Sequence, residues 1–453
     1  MLSNIINFLY KSESPSYHST PGSSKKPKLP IFYGWYIIIA GFAGYFAIGI
    51  TTTETLSIFI SPIADEFKWS RSLISGSVAL GTVLCAPFCL IAGPFIDKYG
   101  ARWIVAISAF IVGIGFLGMA IATNPIWFYI AVALTRIGGV GLIGLAINTT
   151  IINWFIIKRG RAVAIATMGA SFSIISIPLI AQVILEIYSW RIALIMLSLI
   201  VWIITIIPSI FLLKRRPEDI GLVPDGVQLS TKILDSAVKS PKIQYGPEQT
   251  DYDWTLSEAI HTRALWLLVI SVPLSIMVLG GTTLHQTAHL VEQNLTPVAA
   301  ASTFSFFAIG LGLSRLIWGF LSERYPLRYC MATGAVFMGI GELLLLNSSA
   351  LPTAISASLI LGVGVSGAIT LEPVIYANYF GRLHLGSIKG FASIFRWATA
   401  AAGPILSGVT YDLTGNYNTI LLIYVMVMIL VCILMIATLP PKLRLGSTQI
   451  IKS

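Results

Sequence analysis

Long apolar runs alternate with short polar stretches along most of this chain. Twelve such runs can be drawn, at 33–60, 72–96, 101–123, 126–156, 161–186, 190–213, 264–290, 298–322, 329–347, 352–376, 387–411 and 417–439. About 20 apolar residues cross a bilayer core about 30 Å thick, so each run predicts a membrane-spanning helix. The longer runs predict tilt, or helix that continues beyond the lipid. Residues 1–32 are polar, with a Ser/Pro/Lys stretch from Lys11 to Pro30, and read as a disordered tail without the pattern of a signal peptide. The first span then directs insertion itself. The predicted organisation is a tail at 1–32, a six-helix bundle at 33–213, a linker at 214–263, a second six-helix bundle at 264–439 and a tail at 440–453. The predicted fold is an all-α membrane protein of two pseudo-symmetric halves.

The halves also repeat in sequence, at an offset near 226 residues. Gly93-Pro-Phe-Ile-Asp97-Lys-Tyr-Gly-Ala-Arg102 aligns with Gly319-Phe-Leu-Ser-Glu323-Arg-Tyr-Pro-Leu-Arg328. Asn153-Trp-Phe155 recurs as Asn378-Tyr-Phe380, and Gly160 as Gly386. The segment from Gly49 to Glu54 aligns with Gly280 to His285 at a slightly larger offset. Repeated bundles can rock about a site between them, which is a transporter signature.

Charge sharpens this picture. Only 11% of the residues are charged and 56% are hydrophobic, where a soluble domain averages about 25% charged. Of 29 basic residues, Lys68, Arg71 and Arg191 fall on one side and Arg136, Arg315 and Arg396 within spans. The remaining 23 fall on the tails, the linker and the loops of the other side, Lys389 among them. Basic loops face the cytoplasm, so both termini are expected there, in a cell (inner or plasma) membrane. The net charge of +10 then needs no nucleic-acid partner. Four cysteines exclude a disulfide scaffold. Cys85 and Cys89, four apart, read as small apolar packing residues. The Gly-rich stretches read as helix-packing surfaces, since no strand precedes them and no Lys-Ser/Thr follows, and no cofactor is expected.

The repeated loop has a physical role beyond topology. Asp97 lies at the cytoplasmic end of span 2, near the start of the next inner helix. There it can face basic residues and helix dipoles across the interface between the halves. Asp97, Arg102, Glu323 and Arg328 are therefore candidate gate residues, with a charged turn that merely fixes topology as the simpler alternative.

At this point the chain resembles the major facilitator superfamily, on its six-plus-six spans and the Gly-x-x-x-Asp-Lys/Arg-x-Gly-x-Arg loop. Phe67-Lys-Trp-Ser-Arg71, Arg216-Pro-Glu-Asp-Ile-Gly-Leu-Val-Pro-Asp-Gly226 and Trp254-Thr-Leu-Ser-Glu-Ala-Ile resemble its prokaryotic monocarboxylate-porter-like and oxalate/formate-antiporter-like branch. The resemblance implies a secondary transporter that works as a monomer.

Six charged residues stand within spans: Glu54, Arg136, Arg315, Glu342, Glu372 and Arg396. Each costs at least about 2.5–3.5 kcal/mol at mid-bilayer, so each needs a reason. Arg315 and Arg396 lie roughly 12 and 14 Å from the inner ends of spans 8 and 11, at 1.5 Å per residue. That places both near the midplane, where a shared carboxylate would relieve their repulsion. Pairing with Glu372 or with carbonyls is the alternative. Gly312-Leu-Ser-Arg315-Leu-Ile-Trp-Gly319 resembles the span-8 motif whose arginine binds substrate carboxylate in this branch. Arg396, seven residues before Gly403-Pro404, stands where oxalate/formate-type members carry lysine. Leu361 to Leu371 lacks the aromatics of those members, which leaves room for a larger carboxylate than oxalate.

Arg136 opens Arg-Ile-Gly-Gly-Val-Gly141-Leu-Ile-Gly144, which resembles the span-4 arginine motif of the superfamily; it either supports proton coupling or bonds the facing helix. Glu54 is a candidate proton carrier or a partner of Arg136, and His285 occupies the equivalent place in span 7. His285 and His289, four apart, have the spacing of a zinc pair, but no third ligand is evident, so no metal is expected. Glu342 is expected near the outer surface and solvated. Glu372 is expected near the inner end of span 10.

The expected function is secondary active transport of small organic carboxylates by alternating access. Drive is by proton symport or by anion exchange: span 5 lacks the antiporter-type Gly-Pro motif, whereas the position of Arg396 points to exchange. Efflux of other small solutes or drugs is the alternative. No nucleophile–base pair appears at a common depth, so no enzyme is expected.

Overall fold

The computed structural model describes residues 32–52, 55–56, 58–225, 248 and 252–442. Most of both predicted tails, linker residues 226–247 and 249–251, and Glu54 lie outside the described residues. The twelve spans form helices α1 (Gly34–Ile50), α2 (Arg71–Tyr99), α3 (Ala101–Ile121), α4 (Pro125–Trp154), α5 (Arg159–Ile187) and α6 (Trp190–Leu212) in the first half. The second half contains α7 (Arg263–Glu292), α8 (Pro297–Arg324), α9 (Leu327–Leu345), α10 (Leu351–Phe380), α11 (Leu385–Thr414) and α12 (Asn418–Ala437).

Among the described residues, ten helices are long and apolar enough to cross a membrane. The two others depart for visible reasons. α11 carries Lys389, Arg396 and Asp412 along its length. α1 is shorter than the run 33–60 predicts. It stops at Ile50 because threonine hydroxyls take its last carbonyls: Thr51 and Thr52 donate to Ile48 and Gly49, and Thr55 also reaches Gly49. A separate short helix, Ile60–Phe67, follows. Inside α4 a π-helical turn, Ile137–Ile143, coincides with the glycine-rich segment after Arg136.

The outer surface of the bundle is apolar, with Ile91, Leu313 and Phe211 at 60–70% exposure, as a lipid-facing surface requires. Two helix pairs make the most extensive contacts between the halves: α2 runs along α11, and α8 along α5. Their approach is closest at the end that carries Asp97 and Glu323. There a Cβ on Gly93 would collide with the backbone of Gly386, and one on Gly160 with the backbone of Gly319. These are the residues that the sequence repeat equates, exchanged between halves. Only glycine permits such backbone contact. Burial follows the same polarity. Leu145 to Trp154 of α4 and Thr370 to Phe380 of α10 are buried without a break, whereas the other end of α10 alternates with exposed positions.

Candidate functional site

The closed end is built from pseudo-symmetric contacts. α11 begins after His384, whose side chain caps nothing. Asp97, from the other half, supplies the missing acceptor. It accepts hydrogen bonds from the amides of Gly386 and Ser387, both at 2.8 Å, and from the Ser387 hydroxyl at 2.6 Å. A carboxylate on free helix amides is favoured by both hydrogen bonding and the helix dipole. At the equivalent place α5 begins after Lys158, which also lacks a side-chain cap. Glu323 accepts there from the Arg161 amide (3.3 Å) and Nε (2.9 Å), and lies 2.7 Å from its second guanidinium nitrogen. Arg159 donates to Asn378 and Arg382 to the Asn153 carbonyl, both at 3.0 Å, so each half reaches into the other.

Arg102 and Arg328 do other work. Arg102 donates to the Leu213 carbonyl at the end of α6, within its own half. Arg328 pairs with Glu248 of the linker at 3.0 Å. Burial holds the Glu248 carboxyl above its ordinary range, and Arg328 opposes that shift. These two arginines thus hold α6 and the linker, beside the Asp97 and Glu323 contacts.

The linker contributes residues that the sequence reading missed. Asp225 accepts from the amides of Ile156, Ile157 and Lys158, just before α5. Asp253 accepts from the amides of Arg382 and Leu383, just before α11. The main chain follows suit: Asp225 donates to the Trp154 carbonyl and Trp254 to that of Phe380. The two ends of the linker thus grip equivalent loops in the two halves. A signal was present for Asp225, which sits in the segment from Arg216 to Gly226 that carries the branch resemblance, whereas Asp253 immediately precedes the one that begins at Trp254.

Arg315 and Arg396 are brought to the centre, each with a protein partner. Arg315 is 3% exposed and donates to the Thr167 carbonyl of α5, while its Nε has no partner. Arg396 pairs with Glu372 of α10. The other oxygen of Glu372 lies 3.4 Å from Nζ of Lys389. Lys389 is therefore not a loop charge, as its place in the sequence suggested, but a buried group of α11, two turns before Arg396 on the same face. The seven-residue spacing was the available signal. Tyr45 of α1 donates to Asn148 of α4 at 2.7 Å and lies within electrostatic reach of Arg315, Glu372 and Arg396. Both halves therefore contribute polar groups to one central cluster.

The other candidates disperse. Arg136 binds Thr82 and the Thr51 carbonyl, which fastens α4 to α2 and to the end of α1. His285 meets Tyr417 at 3.3 Å and the Pro404 carbonyl at 3.2 Å, whereas His289 meets the Leu345 carbonyl at 2.9 Å. Both rings lie against Tyr417, but their nitrogens meet different carbonyls. Glu342 is fully buried, which corrects the expectation of a solvated outer residue. It faces α7, where Thr282 donates to it at 2.6 Å. Cys85 and Cys89 are buried as free thiols.

Two repeated six-helix bundles, closed at one end about a buried polar centre, define a membrane transporter. The chain belongs to the Major Facilitator Superfamily, which it matches over residues 37–301 and 264–451. It is 22% identical over 399 residues to the uncharacterized MFS-type transporter YcxA of Bacillus subtilis, covering 84% of this chain and 90% of that protein. It is 23% identical over 420 residues to monocarboxylate transporter 12 of Mus musculus, covering 89% and 85%. Among solved structures, the proton:xylose symporter XylE superposes with a TM-score of 0.69 at 12% identity, covering 90% of this chain and 96% of XylE. The human organic anion transporter MFSD10 gives 0.69 at 12%, covering 90% and 100%. These two likenesses concern the fold. The protein is a multi-pass membrane transporter and not an enzyme.

Proposed function

We propose that the protein transports small organic carboxylates by alternating access between its two halves, with Arg315 and Arg396 as the carboxylate anchors. The observation that carries this reading is the central cluster. Lys389 and Arg396 share a single acid, Glu372, and Tyr45 lies within electrostatic reach of both Arg396 and the buried Arg315. A low-dielectric surround makes that imbalance costly, and an entering anion offsets it. A guanidinium fork matches a carboxylate in shape as well as charge. The free Nε of Arg315 leaves a donor for such a ligand. Relatives named as monocarboxylate transporters agree with this substrate class.

In this scheme the Asp97 and Glu323 contacts hold the cytoplasmic side shut while the opposite side admits substrate. Both termini are cytoplasmic and the protein sits in the cell membrane as a monomer. Arg396 exchanges Glu372 for the substrate carboxylate, and Lys389 retains Glu372 meanwhile. Drive is by proton symport or anion exchange. Glu54, His285, Arg136 and Glu372 are the groups that proton coupling or gating would involve.

The test is uptake into proteoliposomes across carboxylates of graded size. Arg315→Ala should abolish uptake while insertion is intact. Arg396→Lys should retain more uptake than Arg396→Gln. Unchanged carboxylate uptake in Arg315→Ala would remove this assignment.

A further inference from the structure

The second half holds a polar pocket away from the arginine cluster. On α7, Thr282, Gln286 and His289 follow at intervals of four and three, so they share one face. That face turns into its own half. Thr282 donates to Glu342 of α9 at 2.6 Å. Gln286 donates through Nε2 to Thr303 of α8 at 3.0 Å and to Ser358 of α10 at 2.7 Å. His289 meets the Leu345 carbonyl through Nε2 at 2.9 Å. Glu342 is 0% exposed and the three α7 residues 2% each.

Three atoms in this pocket lack any partner: Glu342 Oε2, Gln286 Oε1 and His289 Nδ1. All three are acceptors. A ring nitrogen that meets a carbonyl carries the hydrogen, so Nδ1 of the neutral ring offers a lone pair. The Thr303 hydroxyl spends its own hydrogen on the Ala300 carbonyl, which fixes the amide nitrogen of Gln286 toward it and leaves Oε1 over. The pocket is thus short of hydrogens, not of lone pairs. Beside it lies a cavity of about 10 Å³, room for about one water, lined by Thr282, His285, Gln286, His289, Ser407 and Tyr424.

Neighbouring groups do not supply the missing hydrogens. Positions 297–314 of α8 and 351–371 of α10 contain no titratable residue. The basic residue of α9, Arg328, is near its opposite end, about 21 Å away at 1.5 Å per residue. From α12 come Tyr424, whose hydroxyl is engaged by Ser407 and the Gly403 carbonyl, and Tyr417, which meets His285. α11 adds Tyr411 and Asp412, and α7 adds His285 and, at its end, Glu292. Leu290, Leu295, Leu345 and Leu421 pack together at the end away from the gates.

We propose that this pocket is a proton-binding site, with Glu342 as the carrier. Binding adds a proton to Oε2, while Oε1 keeps its bond from Thr282. The new O–H supplies a donor to a pocket whose unpaired atoms are acceptors. Release passes the proton to water entering by the cavity that Thr282, Gln286 and His289 line. The site is separate from Arg315 and Arg396, and does not depend on what they bind. α11 carries Ser407 at this pocket, Arg396 at the centre and Ser387 at the gate, so one helix spans all three.

Infrared difference spectroscopy across pH steps, on the full chain in lipid nanodiscs, tests the proposal. The expected result is a protonated-carboxyl stretching band that is lost in Glu342→Gln. In Thr282→Val, which keeps the acid but removes its donor, the band should shift. Sodium titration at fixed pH should leave it unchanged. A full band in Glu342→Gln would overturn the proposal, and so would displacement of the band by sodium as complete as that by alkali. Should Glu342→Gln not fold, Thr282→Val decides, and an unshifted band there overturns it equally.

Discussion

Asp97 and Glu323 occupy equivalent positions in the two halves, and each faces the start of a helix in the opposite half. Their partners differ. Asp97 takes two backbone amides and the hydroxyl of Ser387. Glu323 takes one backbone amide and the guanidinium of Arg161, which stands at the position equivalent to Ser387. The side chain of Arg161 is 35% exposed and also lies over Phe320, whereas Ser387 is 4% exposed. One contact is therefore a buried helix cap and the other a partly exposed ion pair. The repeat fixes where the contacts fall, and the local residue decides how strong each is.

The comparison can be broken or sharpened by spin-label distances across the closed end, with labels at Lys98→Cys and Arg324→Cys. The largest effect is expected for Asp97→Ala. It leaves helix amides without an acceptor, at about 1–3 kcal/mol, so the closed-to-open ratio should fall roughly five- to 150-fold. Equal closure in that variant would show that the glycine contacts alone hold this end. Ser387→Ala removes one neutral donor and keeps both amides. A loss of about 1 kcal/mol, or roughly fivefold in the closed population, is expected. The smallest effect belongs to Glu323→Ala, about twofold, because a partly exposed pair contributes about 0–1 kcal/mol. Raising salt should erase that last difference and leave the Asp97 variant unchanged, since exposed charges are screened and buried caps are not. A salt-sensitive Asp97 effect would make the two contacts alike.

Much of the fold was legible in the chain. The spans, the repeat and the loops at Asp97 and Glu323 could be read directly. The repeat equates Gly93 with Gly319 and Gly160 with Gly386, but that Gly93 meets Gly386 and Gly160 meets Gly319 is visible only in the structure. The centre was less legible. Lys389 passed as a loop charge because its distance from the lipid edge, not its neighbours, was what the sequence displayed. Glu342 passed as solvated for the same reason: position along a helix is written in the sequence, but the direction a side chain faces is not. The linker acids Asp225 and Asp253 take their role from loops that lie far from them in the chain.

The sequence by itself determined the membrane architecture. Lipid offers the backbone no hydrogen bonds, so apolar runs of sufficient length have little choice but to form helices. It also determined, through the repeat, which helix ends are equivalent. Only the tertiary structure decided which charges share a partner: Glu372 between Lys389 and Arg396, Asp97 on the start of α11, Glu342 turned inward to Thr282. Those pairings depend on the rotation of each helix about its own axis. In a membrane, where nearly every face is apolar, that rotation is set by packing against neighbours far away in the chain.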